Sequence, residues 1–171
     1  CNLAAQVSPD GGGEWDEDLG EWAQGHESRE RSQNRVVLAL DCGAKRNIYR
    51  HLTERGCVVR VAPRGITAAE ILLAGEKNEI HGLFVSNGPG DPAAVEETIH
   101  ILREVGGCVP TFGICLGHQL LALSLGAETY KLKFGHRGAN QPVRNVVTGR
   151  VEITSQNHGF CVEESSLIAA G

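Results

Sequence analysis

The stretch Pro110-Thr111-Phe112-Gly113-Ile114-Cys115-Leu116-Gly117-His118-Gln119-Leu120-Leu121-Ala122-Leu123-Ser124-Leu125-Gly126 decides the fold. Pro110 to Ile114 reads as a strand, Leu116 to Leu125 as a helix, and Gly126 as its C-cap. A cysteine thus stands between glycines at a strand-to-helix junction, the cysteine form of a nucleophile elbow. The turn is sharp, and glycines two before and two after the nucleophile avoid side-chain clashes. The sulfur is expected at the C-terminal edge of the sheet, where open α/β folds place ligands. The helix N-terminus is expected to lower the thiol pKa and to offer N–H groups to an oxyanion. An ordinary buried thiol is the competing reading of Cys115.

Upstream, strands and helices alternate. Val36-Val37-Leu38-Ala39-Leu40 is a continuous apolar run, as a strand buried on both faces requires. Residues 44–55 suit a helix with Ile48, Leu52 and Arg55 on one side, stopped by Gly56. Cys57-Val58-Val59-Arg60-Val61 is the second strand. Thr67 caps a helix through Leu73, with Glu70 in the capping-box position. Leu83-Phe84-Val85 is the third strand, and Asp91-Pro92 supplies an N-cap and a first-turn proline. The helix that follows carries Val95, Ile99, Leu102 and Val105 on one face. Downstream, Val143–Val147 and Val151–Ser155 flank Thr148-Gly149-Arg150 and predict an antiparallel hairpin. No element is read after it. The fold class is therefore α/β: an open, mainly parallel sheet with helices on both faces, the elbow at a strand-to-helix turn, and a hairpin near the C-terminus.

The 171 residues suffice for one domain of ordinary size. Hydrophobic residues at 41% and charged residues at 22% exclude general disorder and a fibrous protein. No apolar run reaches membrane-spanning length, and no signal peptide is visible. Residues 1–34 hold eight acids against Arg29 and Arg31, a net of −6, whereas residues 35–171 carry +1. No Lys/Arg stripe exists, so no nucleic-acid partner is expected. Residues 1–34 read as an acidic linker, with Ser8-Pro9-Asp10-Gly11-Gly12-Gly13 as a breaker cluster. Trp15 and Trp22 either dock on a surface or belong to a solvated tail. Six cysteines, none in Cys-x-x-Cys spacing, suggest free thiols in a reducing cytoplasm and no metal site.

Ser86-Asn87-Gly88-Pro89-Gly90-Asp91-Pro92 follows the third strand and falls on the same rim as Cys115. Its glycines let backbone approach a ligand closely. It lacks the endings of a phosphate loop. His118 lies too near Cys115 in sequence to act as its base and is read as structural or pocket-lining. His136 and His158 are placed in polar loops.

Together, Asn87–Pro92 and Gly113–Gln119 resemble a class I (triad) glutamine amidotransferase. Asp41–Ile48, Lys133–Val143 and Ser155–Phe160 narrow the resemblance to the glutamine-hydrolysing small subunits of carbamoyl-phosphate synthases. It covers about residues 35–165. The resemblance implies that the Cys115 thiolate attacks the side-chain amide carbon of L-glutamine. It implies that N–H groups of Leu116 and of the Gly88–Gly90 loop hold the oxyanion. By matching position, Gly88, Gly90, Leu116, Gln119, Asn157, Gly159 and Phe160 hold the glutamine. A helix-surface amide and a turn residue are the alternatives for Gln119 and Asn157. The implied partner is a large subunit that makes carbamoyl phosphate for arginine and pyrimidine synthesis. ATP and Mg belong to that subunit, and no cofactor is expected on this chain.

The family's catalytic His-x-Glu pair is not found between Asn157 and Gly171, and its N-terminal domain is not found before residue 1. The chain is thus expected to be a linker, 1–34, and a C-terminally incomplete glutaminase domain, 35–171. Other readings are another class I amidotransferase of the anthranilate or GMP type, a non-catalytic scaffold, and Cys1 as an N-terminal nucleophile. Asn2-Leu3-Ala4 starts no strand, which disfavours the last.

Overall fold

The computed structural model describes residues 1–22 and 35–170. Five strands form the main sheet: β1 (Gly13–Trp15), β2 (Arg35–Leu40), β3 (Cys57–Val61), β4 (Gly82–Val85) and β5 (Thr111–Gly113). Their order is β1-β3-β2-β4-β5. β3, β2, β4 and β5 run parallel, and β1 adds an antiparallel edge against β3. The chain moves from β2 to one neighbour, β3, and then returns to the other side for β4. The resulting switch point lies at the C-terminal ends of β2 and β4, the place where doubly wound sheets open a crevice.

Side-chain alternation along the strands separates two cores. Leu38, Leu40, Leu83 and Val85 pack with Ile71, Leu102, Val105, Leu116 and Leu120. These come from helices α3 (Ala68–Glu76), α4 (Glu96–Val105) and α5 (Leu116–Ser124). Ala39, Val59 and Phe84 face the other way, onto Tyr49, Ile48 and Leu52 of helix α2 (Arg46–Glu54). Both faces of the central strands are therefore covered, as the uninterrupted apolar run of β2 required.

The helix boundaries follow local hydrogen bonds. α2 starts two residues later than the sequence suggests, because Asp41 Oδ1 accepts from the N–H groups of Gly43 (2.7 Å) and Ala44 (2.9 Å) and holds them in a turn. Gly56 ends it at φ +83°. Thr67 and Glu70 form the expected reciprocal capping box, and α3 runs on past Leu73 to Glu76. The Asp91 cap is real, but it serves a short 3-10 turn, Pro92–Ala94, accepting from the Ala93 N–H at 3.0 Å. α4 begins only at Glu96.

The hairpin is longer than its sequence signal. β6 (Thr129–Arg144) pairs with β7 (Val151–Val162), which places Val146 and Val147 in the turn and not in a strand. Asn145 decides this. Its Oδ1 accepts from the N–H groups of Val147 (3.0 Å) and Thr148 (3.1 Å), and Gly149 donates back to its carbonyl at 2.8 Å. Local side-chain-to-backbone bonding here overrides the strand preference of valine. His136 and His158, expected in loops, face each other across β6 and β7. A short exposed helix, α6 (Glu164–Ala169), follows where no element was expected.

The acidic leader is applied to the domain over its described residues. Helix α1 (Ala4–Val7) inserts Ala4 into the α3–α5 core. Trp15 docks with its ring 5.3 Å from that of Tyr49, under the Arg46 guanidinium. Glu17 receives Arg50 at 2.6 Å and also pairs with Arg46, which together hold its carboxyl below the usual range. The docking of Trp22 lies outside the described residues. All six cysteines are free. No helix among the described residues is long and apolar enough to cross a membrane.

Tyr49 is 2% exposed and its hydroxyl donates to Asp41 Oδ2 at 2.9 Å. It joins the α2 core to the turn after β2. Tyr49→Phe removes one charge-assisted bond and should cost about 1.5 kcal/mol. In a urea titration the midpoint should fall with an unchanged slope.

Candidate functional site

Cys115 occupies the sharp turn between β5 and α5 with φ +52° and ψ −105°, a conformation that only the surroundings can hold in a non-glycine residue. Those surroundings are backbone. The Ile114 N–H donates to the Val85 carbonyl at 3.1 Å, and the Gly117 N–H returns to the Ile114 carbonyl at 3.0 Å. A Cβ on Gly117 would stand 2.1 Å from the Val85 oxygen, and one on Gly113 would stand 2.4 Å from the Gly117 carbonyl carbon. The elbow glycines are therefore required by contact distance.

The loop after β4 closes over the elbow. The buried Ser86 Oγ accepts from the Cys42 N–H at 2.8 Å, and Asn87 Oδ1 accepts from the Lys45 N–H at 2.9 Å. These bonds join the loops that leave β2 and β4 on either side of the switch point. Gly88 lies so close that a Cβ would meet the Cys42 oxygen at 2.1 Å and Leu116 Cδ2 at 2.7 Å. Main-chain N–H groups of the loop are thereby brought beside the start of α5, where the Leu116 N–H is near enough to the Cys115 sulfur to favour its thiolate.

The third wall is β7. Gln119, one helical turn past Cys115 and 6% exposed, donates from Nε2 to the Phe160 carbonyl at 2.7 Å. This bond ties the hairpin to α5. Cys115 Sγ lies 4.0 Å from the Asn157 carbonyl, and Asn157 Oδ1 accepts from Arg137 at 3.4 Å. A cleft of about 380 Å³ is lined by Gly88, Gly90, Cys115, Gln119, Asn157, Gly159 and Phe160. A second, of about 810 Å³, also opens at Cys115 and extends to Lys45, Ile48 and His118. The residues singled out from sequence thus meet in one place, with the Leu116 side chain turned into the core and its N–H into the site.

Two features differ from expectation. The thiol is not activated by the helix terminus: burial holds its pKa above the ordinary value, and the Leu116 N–H offsets this only in part. In addition, Lys131 and Arg137 line the smaller cleft, as Asp91 does. Sequence spacing gave no sign of this, because only the pairing of β6 with β7 brings them to Cys115. Among the described residues, no imidazole nitrogen is hydrogen-bonded to the sulfur. His118 is exposed and lines the larger cleft only.

The class-I glutamine amidotransferase family model matches residues 38–170. The chain belongs to this family. The elbow, the Gly88–Gly90 loop and the β7 segment of this amidotransferase chain all fall inside the matched region. Among solved structures it is similar to a putative GMP synthase component from Thermoplasma acidophilum. The TM-score is 0.57 at 23% identity, covering 77% of this chain and 68% of that one. A glutamine amidotransferase from Thermotoga maritima aligns with TM-score 0.57 at 17% identity, over 77% and 63% of the two chains. Both likenesses concern the fold. In sequence it is 50% identical over 167 residues to the carbamoyl phosphate synthase small chain of Rubrivivax gelatinosus, covering 97% of this chain and 42% of that protein. The small chain of Ruegeria pomeroyi is 51% identical over 156 residues, 90% of this chain and 39% of that protein. The chain spans about two-fifths of the length of these relatives.

A thiol held protonated by burial should alkylate slowly at neutral pH. With iodoacetamide, Cys115 should react more slowly at pH 7 than the exposed Cys1 and Cys108. Its rate should go on rising with pH beyond the range of an ordinary thiol, since only the thiolate attacks. Peptide mapping by mass spectrometry reads all three sites in one experiment.

Proposed function

We propose that the chain carries the glutamine-hydrolysing part of a cytoplasmic carbamoyl-phosphate synthase small subunit. Residues 35–171 are the glutaminase domain and residues 1–34 the segment leading into it. The observation that carries this is the convergence of a strained elbow cysteine, a main-chain donor loop and the Asn157–Phe160 strand around one cleft. The 50% identity to small chains supports the choice within the family.

In this mechanism L-glutamine enters the cleft with its carboxamide toward Cys115. Asn157, Gln119 and the main chain at Gly159 and Phe160 hold its amino-acid end. Sγ, once deprotonated, bonds to the amide carbon, and the carbonyl electrons move onto oxygen. N–H groups of Leu116 and the Gly88–Gly90 loop stabilise that charge. Collapse expels ammonia, which takes up the proton, and leaves a thioester. Water then cleaves the thioester to glutamate and restores the thiol. The base in this reading is the histidine of the family's His-x-Glu pair. Ammonia passes to the ATP-using large subunit, which also holds Mg.

Cys115→Ser in the assembled synthase tests this. Glutamine-dependent synthesis should fall by more than about 1000-fold, while synthesis from added ammonia stays intact. Equal loss of both would mean that the chain acts as a scaffold. The isolated chain should release glutamate slowly or not at all, because among the described residues no imidazole is hydrogen-bonded to the sulfur to take its proton. Robust glutaminase activity of the isolated chain would sink the assignment of the base.

A further inference from the structure

At the edge of the cleft, the hairpin assembles a group of donors of which only His158 lines the smaller cleft. His136 on β6 stands directly opposite His158 on β7, and Cys161 follows on the same strand. One ligand atom from each of the three lies within 4.8 Å of the others. His136 Nδ1 and His158 Nε2 are 3.1 Å apart. Two donors on a tetrahedral ion with bonds of 2.0–2.1 Å are separated by about 3.3 Å.

The polar groups around His158 orient it as a ligand. Its Nδ1 is 2.8 Å from the Phe160 carbonyl, which only accepts, and 4.0 Å from Cys161 Sγ, so Nδ1 donates to the carbonyl and, in the neutral ring, Nε2 is the nitrogen left to ligate. A metal-binding imidazole is held in this way, with its second nitrogen bonded to a carbonyl. Gln156 Oε1 lies 2.9 Å from the same Nε2. The orientation of that carboxamide is fixed. Thr154 Oγ1 donates to the Gln141 carbonyl at 2.9 Å and therefore accepts from Gln156 Nε2 at 3.0 Å. A carboxamide oxygen thus faces Nε2, and either a second ring proton or a metal ion between them satisfies it.

We propose that His136, His158 and Cys161 bind one divalent transition-metal ion, with water completing a tetrahedral shell. Two imidazoles and a thiolate select Zn²⁺ over Mg²⁺ or Ca²⁺, which require oxygen ligands. Cys161 ligates as the thiolate and releases its proton on binding. His158 and Cys161 also line the larger cleft. The proposed site thus opens on the same cleft as Cys115, which is not among its three ligands. The proposal rests on the hairpin alone and stands or falls independently of the synthase assignment.

Co²⁺ is the probe, titrated into the purified chain. One ion should bind per chain, with the absorption of a thiolate-to-cobalt charge transfer, and Zn²⁺ should displace it. Cys161→Ser should remove that band, and Cys115→Ser should leave it. His136→Ala, at an exposed hairpin position, should weaken binding at least about tenfold. A band that disappears with Cys115 and not with Cys161 would overturn the proposal. So would unchanged affinity in His136→Ala, or no saturable binding of a single Co²⁺. Should Cys161→Ser fail to fold, the His136→Ala comparison alone decides.

Discussion

One carbonyl oxygen, that of Val85, governs the site. It accepts the Ile114 N–H and so fixes where β5 ends. It also lies where any side chain on residue 117 would have to go, 2.1 Å from a virtual Cβ. With a larger residue there, the first turn of α5 would be pushed off β4. Cys115 could then leave its φ of +52° for an ordinary conformation, and the sulfur would swing out of the cleft. The strain at Cys115, of order 1–3 kcal/mol, is sustained by this contact and by the core beneath it. Leu116 and Leu120, 1% and 0% exposed, anchor the same helix from below.

The electrostatics follow from that placement. The turn that presents the sulfur also shields it from water, and desolvation outweighs the pull of the single Leu116 N–H. Cys42, more deeply buried beside Asp41, shows the same effect in stronger form, with its thiol pushed up to about 11. The helix N-terminus and burial thus pull the thiol in opposite directions, and burial is the stronger. Chemistry at Cys115 depends on a proton acceptor, and the site's geometry and its activation are separable properties.

Much of this architecture was legible in the sequence because buried parallel strands leave uninterrupted apolar runs. Val36 to Leu40 fills both cores by alternation, and the capping box at Thr67 marks a helix start by chemistry alone. The elbow was legible because its glycines are sterically compelled. What escaped notice depended on pairing across distance. Lys131–Gly138 shows no clean alternation, since both faces of the hairpin are largely exposed, so β6 left little hydrophobic signature. His136 and His158 acquire meaning only once the chain between them, 22 positions from one to the other, folds back. The valines at 146 and 147 pointed to a strand, and one asparagine side chain overruled them. Docking of the leader was equally hidden. Trp15 packs on Tyr49 through a three-residue edge strand, too short to stand out in an acidic, glycine-rich segment.

The cleft is built on two separate sheets. Cys115, Gly88 and Gln119 belong to the parallel domain, whereas Asn157, Gly159 and Phe160 belong to the hairpin, and the Gln119–Phe160 hydrogen bond links the two. The parallel domain is held by two buried cores, but the hairpin arms expose most of their side chains. Opening of the cleft and global unfolding therefore belong to different rungs of the free-energy ladder. Amide protons of β2 and β4 should exchange only when the whole domain comes apart, while those at the edges of the β6–β7 ribbon should exchange through small local excursions. Half of the binding wall can thus open at a lower free-energy cost than the nucleophile's own scaffold.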